Sequence, residues 1–218
     1  MNSAEIYPLF SKPTYVKILD SVSEEELLNI KKIIENNDYQ KSTNYNSSDS
    51  TKFSEISTDL NFLDKSDLLF LKKVLTDEFY TFKNNILKYH NNDFEITTSW
   101  ISKTEPGKES EWHQHNNCMY SGIFYVSTNQ NSGDISFETH ENKRFQIVPT
   151  EFNIYNSTSF TFSPQNRMII FFESQLFHKI FKNNSDRIRY SIAFNLIPVG
   201  KIGSKNSDSF CNLTNVKK

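Results

Sequence analysis

The sequence predicts a mainly β protein, a sandwich or barrel, with two helices packed on one outer sheet face. Three observations lead there. From Phe94 onward the chain is a succession of short runs rich in aromatic and β-branched residues: "FEITTSWISK", "YSGIFYVS", "GDISFE", "EFNIY", "SFTFS", "RMIIFFES", "LFHKIF" and "RIRYSIAFNLIPV". Gly, Asn, Ser and Pro separate them, the pattern of many short strands joined by turns. Ahead of them lie two stretches with helical spacing of apolar residues. Composition supplies the third: 19 Phe and 10 Tyr against 5 Gly in 218 residues mean an aromatic core.

Taken in order, "IYPLFSKPTYVKILD" is broken by Pro8 and Pro13 and reads as short strands at a sheet edge. "SVSEEELLNIKKIIENN" is a helix, with Ser23 and Glu26 spaced as a capping box and Leu27, Leu28, Ile30, Ile33 and Ile34 forming an apolar stripe. "YQKSTNYNSSDSTKFSE" is polar and unpatterned, a loop placed to serve as a lid. "SDLLFLKKVLTDEFYTFKNNILKYH" is a second, longer helix. No repeat or second domain shows. One domain over 1–218 is expected: strands and helices in 1–92, the β core in 93–200 and a tail in 201–218.

A net charge of −2, from 24 Lys+Arg against 26 Asp+Glu, argues against a dedicated nucleic-acid binder. Cys118 and Cys211 fit no metal or redox spacing. No signal peptide or bilayer-spanning run is evident, so a cytoplasmic protein is expected, in a host cytoplasm if the source is viral.

The chemistry centres on "EWHQHNN". In an extended strand alternate side chains share a face, so His113 and His115, read as strand residues, point the same way, as half of a metal site would. A third histidine, His178, follows the apolar run "RMIIFFESQLF". Alone it reads as a core or surface residue; with the pair upstream it becomes a candidate ligand. Imidazole suits iron, zinc, copper and nickel alike. In "RIRYSIAFN", Ile188, Tyr190, Ile192 and Phe194 form a core face, while Arg187, Arg189, Ser191, Ala193 and Asn195 form a small polar one. A buried Arg189 on that face calls for an anionic partner. Its planar fork suits a carboxylate, with Ser191 placed to add a hydrogen bond.

In chain order, "WHQH", "SGIFYV", "SGDISF", "RMIIFFESQLFH" and "RIRYSIAFN" resemble the core of iron(II)- and 2-oxoglutarate-dependent dioxygenases, the prolyl hydroxylase-like branch in particular. Within it the chain is most similar to short oxygenase-like proteins of phages and marine bacteria. The resemblance spans roughly the C-terminal half and implies a double-stranded β-helix (jelly-roll, cupin-like) core. It implies iron(II) as metal, 2-oxoglutarate as co-substrate, ascorbate as supporting reductant, and hydroxylation of a small-molecule or protein substrate. It makes His113 and His178 metal ligands, Arg189 the partner of the far carboxylate of 2-oxoglutarate, Ser191 the serine of the R-x-S motif, and Tyr125 a further contact to that carboxylate. The departure is His115, which stands where most of the superfamily has Asp or Glu. Either His115 is a third imidazole ligand, as alternation along the chain favours, or Asp134 or Glu111 supplies the carboxylate with His115 behind it.

Plainer readings stand beside these. Tyr125 also fits a core aromatic, Arg187 a solvated charge, Trp112 packing beside the site, and His90 and His140 surface positions. Asn117, Met119 and Asn195 are candidates for the pocket wall. Two rival functions remain: a cupin-like three-histidine dioxygenase without 2-oxoglutarate, and a non-catalytic binding protein on the same fold.

Overall fold

The computed structural model describes residues 5–41, 52–139, 145 and 147–214. Eleven strands and two main helices follow one another as β1 (Tyr15–Ile18), α1 (Glu24–Glu35), β2 (Tyr39–Lys41), β3 (Glu55–Ser57), α2 (Leu69–Phe82), β4 (Asp93–Thr104), β5 (Tyr120–Ser127), β6 (Ile135–Glu138), β7 (Ser159–Phe162), β8 (Met168–Glu173), β9 (Phe177–Ile180), β10 (Arg189–Ile202) and β11 (Cys211–Leu213). The large antiparallel sheet has the order β1-β8-β5-β10-β4-β3-β2, with β11 folded back on the far end of β10. The small sheet is β7-β6-β9. As expected, β1 lies at a sheet edge. The core strand β10 runs past position 200 to Ile202, and part of the following tail is β11.

Helix α1 starts where its capping box requires: the Ser23 hydroxyl accepts from the Glu26 N–H (3.2 Å), and the Glu26 carboxylate from the Ser23 N–H (2.7 Å). Leu27, Ile30 and Ile34 of α1 and Leu71, Leu75, Phe79 and Phe82 of α2 are buried on one face of the large sheet. There they meet Tyr120 and Phe124 of β5, Phe171 of β8 and Ile192 and Phe194 of β10. Phe79 lies 5.2–5.5 Å from the rings of Phe94, Tyr120 and Phe171. Such pairs add roughly 0.5–1.5 kcal/mol each beyond simple burial. The second helix is shorter than its periodic sequence, with a 3-10 turn at Ser66–Leu68 before it and a π-helical turn at Lys83–Leu87 after it.

The opposite face of the large sheet packs on the small one. Ile123 and Tyr125 of β5, Met168, Ile170 and Phe172 of β8 and Ala193 of β10 meet Ile135 and Phe137 of β6. Alternation along β10 and β5 thus sends one set of side chains to the helices and the other between the sheets. Strand β4 departs from strict alternation. Its pairing with β10 steps from Asn195↔Thr98 to Leu196↔Ile96, leaving Thr97 unpaired as a bulge. One extra residue inverts the faces. Phe94 and Ile96 point to the helices, but past the bulge Thr98, Trp100 and Ser102 point between the sheets.

Two sequence expectations are corrected. "EFNIY" is not a strand: the Asn153 carboxamide accepts from the Tyr155 N–H (2.8 Å) and Asn156 accepts from the Asn153 N–H (2.8 Å), folding the run into a turn. The pair His113 and His115 lies on an extended segment with a single bridge, His113↔His178, and not in a full strand. Of the expected lid, Gln40 to Glu55, residues 42–51 lie outside the described residues, as does His140, while its ends belong to β2 and β3. Cys118 and Cys211 are free.

Gly122 of β5 marks a tight point in the helix-side layer. A Cβ there would lie 2.3 Å from the Phe194 ring, itself fully buried and edge-on to Phe171. We expect Gly122→Ala to cost about 1–3 kcal/mol in chemical denaturation, the usual penalty of overpacking a filled core.

Candidate active site

Between the two sheets opens a cavity of about 590 Å³. The segment before β5 forms one wall. Its backbone runs antiparallel to β9: His113 and His178 exchange N–H···O bonds of 2.9 Å, and the His115 N–H donates to the Ser174 carbonyl at 2.9 Å. The chain then turns at Asn117, whose φ of 59° is left-handed and tolerable for asparagine, and enters β5. The "HQHNN" spacing therefore delivers both imidazoles to the cavity before the turn.

His113, His115 and His178 converge. One ring nitrogen from each lies within 4.8 Å of the others. Their hydrogen bonds decide which nitrogen that is. His113 Nδ1 lies 2.8 Å from the Glu111 carbonyl and His178 Nδ1 2.8 Å from the Leu176 carbonyl. Carbonyl oxygens only accept, so both rings carry their proton on Nδ1. His115 Nδ1 lies 2.8 Å from Asn195 Oδ1, and the Asn195 amide is oriented by its own donation to Thr98 Oγ1 at 3.2 Å. Ser121 donates to the same Asn195 oxygen (2.9 Å) and contacts Ser174 at 2.9 Å. All three Nε2 atoms are thereby left with lone pairs facing one another.

Burial pushes the three imidazoles down from their ordinary range, His178 well below it, and His115, beside His113, to about 4. At neutral pH all are uncharged, the form a metal binds. This fixes an acid sensitivity. The unfolded chain takes up these protons as pH falls through about 6.5, while folded His115 resists until about 4. The unfolded state therefore binds more protons across that window, and stability drops as pH falls through it. Denaturation midpoints of metal-free protein at pH 7 and pH 5 should show the loss, and His115→Gln should reduce it.

On the same face of β10, Arg189 is fully buried. Its guanidinium donates to the Gly133 carbonyl (3.0 Å) and the Thr104 hydroxyl (2.7 Å), and Thr104 bonds Ser54 (2.9 Å). Ser191 and Tyr125 face each other across β10 and β5. Among the described residues, the Ser191 and Tyr125 hydroxyls are buried without a hydrogen-bond partner. Burial pushes the Tyr125 phenol up to about 12, so it stays protonated as a donor. Two buried hydroxyls beside a buried guanidinium, each costing about 1–3 kcal/mol while unsatisfied, are suited to donate to an acceptor group.

Of the sequence candidates, the structure brings together His113, His115 and His178, and separately Arg189, Ser191 and Tyr125. Asp134 and Glu111 stand outside the group of ligand atoms. Asn117 and Asn195 line the cavity, whereas Met119 is largely exposed and does not. Trp112 stacks on Phe177 (5.5 Å), and Arg187 and His90 are exposed. Sequence reading missed Thr98, Trp100 and Ser102 because of the bulge, and Ser121 and Thr104 because their partners are distant in the chain.

The two facing sheets form a double-stranded β-helix fold, with the three imidazoles between them. Residues 98–195 match the family model described as "Putative 2OG-Fe(II) oxygenase". No curated protein sequence matches. Solved structures share the fold at low identity. A Pseudomonas putida prolyl-4-hydroxylase has a TM-score of 0.56 at 12% identity, over 86% of this chain and 94% of that one. A Trichoplax adhaerens prolyl hydroxylase, in complex with a hypoxia-inducible factor peptide, has 0.60 at 14%, over 84% and 83%. HygX from Streptomyces hygroscopicus, solved with nickel, 2-oxoglutarate and hygromycin B, has 0.58 at 11%, over 86% and 83%.

Proposed function

We propose that the protein is a non-haem iron(II)- and 2-oxoglutarate-dependent oxygenase that hydroxylates a substrate entering the cavity between the sheets. The observation that carries this is the trio of Nε2 lone pairs, each fixed by an acceptor on its own Nδ1, opening on a cavity with Ser191 in its wall. In this reading His113, His115 and His178 hold the metal, with His115 as third imidazole. Arg189, Ser191 and Tyr125 hold the far carboxylate of 2-oxoglutarate. Iron with 2-oxoglutarate supplies oxygen activation coupled to decarboxylation of the co-substrate to succinate. The chain's share is to present ligands on one side only, orient the co-substrate and limit water. Trp100, Thr98 and Asn117 offer a substrate one aromatic surface and several hydrogen bonds. As with the antibiotic in HygX and the peptide in the Trichoplax enzyme, that substrate is a small molecule or a protein segment. Among the described residues no helix is long and apolar enough to cross a membrane.

The test is incubation with iron(II), ascorbate and 2-oxoglutarate, reading succinate. Slow succinate release is expected even without substrate and should vanish in His178→Ala. Metal binding without succinate or 2-oxoglutarate binding would favour the cupin-like reading.

A further inference from the structure

The three imidazoles are neutral, and so is everything that fixes them: the Glu111 and Leu176 carbonyls, the Asn195 amide and the Ser121 hydroxyl. Metal-bound histidines often give their other N–H to a carboxylate, which passes negative charge toward the metal. Here none does. Among the described residues lining the cavity there is no Asp, Glu, Lys or Arg. The Glu111 carboxylate does pull on His113, but it neither lines the cavity nor belongs to the ligand group.

A divalent ion held by this set keeps its full double charge in a partly desolvated cavity. That is costly unless an anion joins it. We propose that this centre is completed by a dianion, so that retention of the metal and binding of the carboxylate co-substrate are coupled through charge. The ion is held loosely alone and tightly once a dianionic chelator neutralises it. Linkage makes the effect reciprocal: the metal tightens the dianion by the same factor. Asn195 is the position that keeps the centre uncompensated. It lines the cavity, but its Oδ1 meets His115 at Nδ1 and not at the nitrogen that faces the other two rings. The identity of the dianion as 2-oxoglutarate rests on the proposed function; the need for an anion does not.

Asn195→Asp changes the charge while keeping shape and the bond from His115 Nδ1, and the Thr98 hydroxyl can turn to donate to the introduced carboxylate. Nickel(II) affinity would be measured by competition with a chromophoric chelator, alone, with 2-oxoglutarate and with oxalate. Wild type, Asn195→Asp and His115→Asp would be compared after circular dichroism shows each is folded. Without anion, Asn195→Asp should bind nickel on the order of tenfold more tightly than wild type, from one added charge several ångströms away. The factor by which oxalate tightens nickel should shrink by a similar amount. His115→Asp should shift both quantities in the same direction, and serves if the first variant misfolds. Equal oxalate coupling in wild type and the folded variants would overturn the proposal. A charge-sensitive oxalate effect with no response to 2-oxoglutarate would uphold it and sink the co-substrate reading instead.

Discussion

His178→Ala abolishes stoichiometric metal binding in the expected result, and His113→Ala does the same. Each removes a nitrogen that the fold has oriented from behind through a carbonyl 2.8 Å from Nδ1. No other Asp, Glu, Cys or His among the described residues joins the group to replace it. With two ligands left, affinity should fall by well over the tenfold to about a hundredfold typical of losing a supporting contact alone. Metal titration monitored by calorimetry reads this directly. Because His178 is buried and pairs with Phe172 and Phe137, His178→Gln is the companion variant, preserving volume while removing the imidazole. If either variant still binds one metal per chain at wild-type affinity, the trio is not the metal site.

Arg189→Ala should do the opposite: leave metal binding intact and weaken 2-oxoglutarate. The Arg189 hydrogen bonds to Gly133 and Thr104 involve none of the histidines. Removing one member of a desolvated charge pair costs about 2–5 kcal/mol. The alanine variant also opens a hole where the largest fully buried side chain stood. Arg189→Lys therefore matters more, since it keeps a charge and most of the volume but loses the planar fork, and should recover only part of the affinity. Unchanged 2-oxoglutarate affinity in the folded lysine and alanine variants would move the anion site elsewhere.

The site's outline was legible in the sequence because it rests on alternation. His113 and His115 share a face by being two residues apart, and Arg189, Ser191 and Asn195 do so along β10. What could not be read depends on register between distant strands. Trp100 has the same parity as Phe94 and Ile96 and would be assigned to the helix layer; only the bulge at Thr97 turns it into the cavity. The hydrogen bond from His115 to Asn195 joins residues 80 apart in the chain, and that from Arg189 to Thr104 residues 85 apart. "EFNIY" misled for a local reason: its apolar spacing is that of a strand, but two asparagine side chains capture the backbone first. His115 shows the limit of resemblance. Alternation along the chain favoured it as a third imidazole over a carboxylate such as Asp134, and the contact with Asn195 at Nδ1 leaves Nε2 with a lone pair to offer.

The central claim is that one cavity holds a divalent metal on three imidazoles and 2-oxoglutarate beside it. Calorimetric titration of 2-oxoglutarate into nickel-loaded and metal-free wild type, under otherwise identical conditions, tests it most directly. One site per chain in the loaded protein, with affinity lost or greatly reduced when the metal is removed, is the predicted result. No binding in the loaded protein, or equal binding with and without metal, would contradict the account.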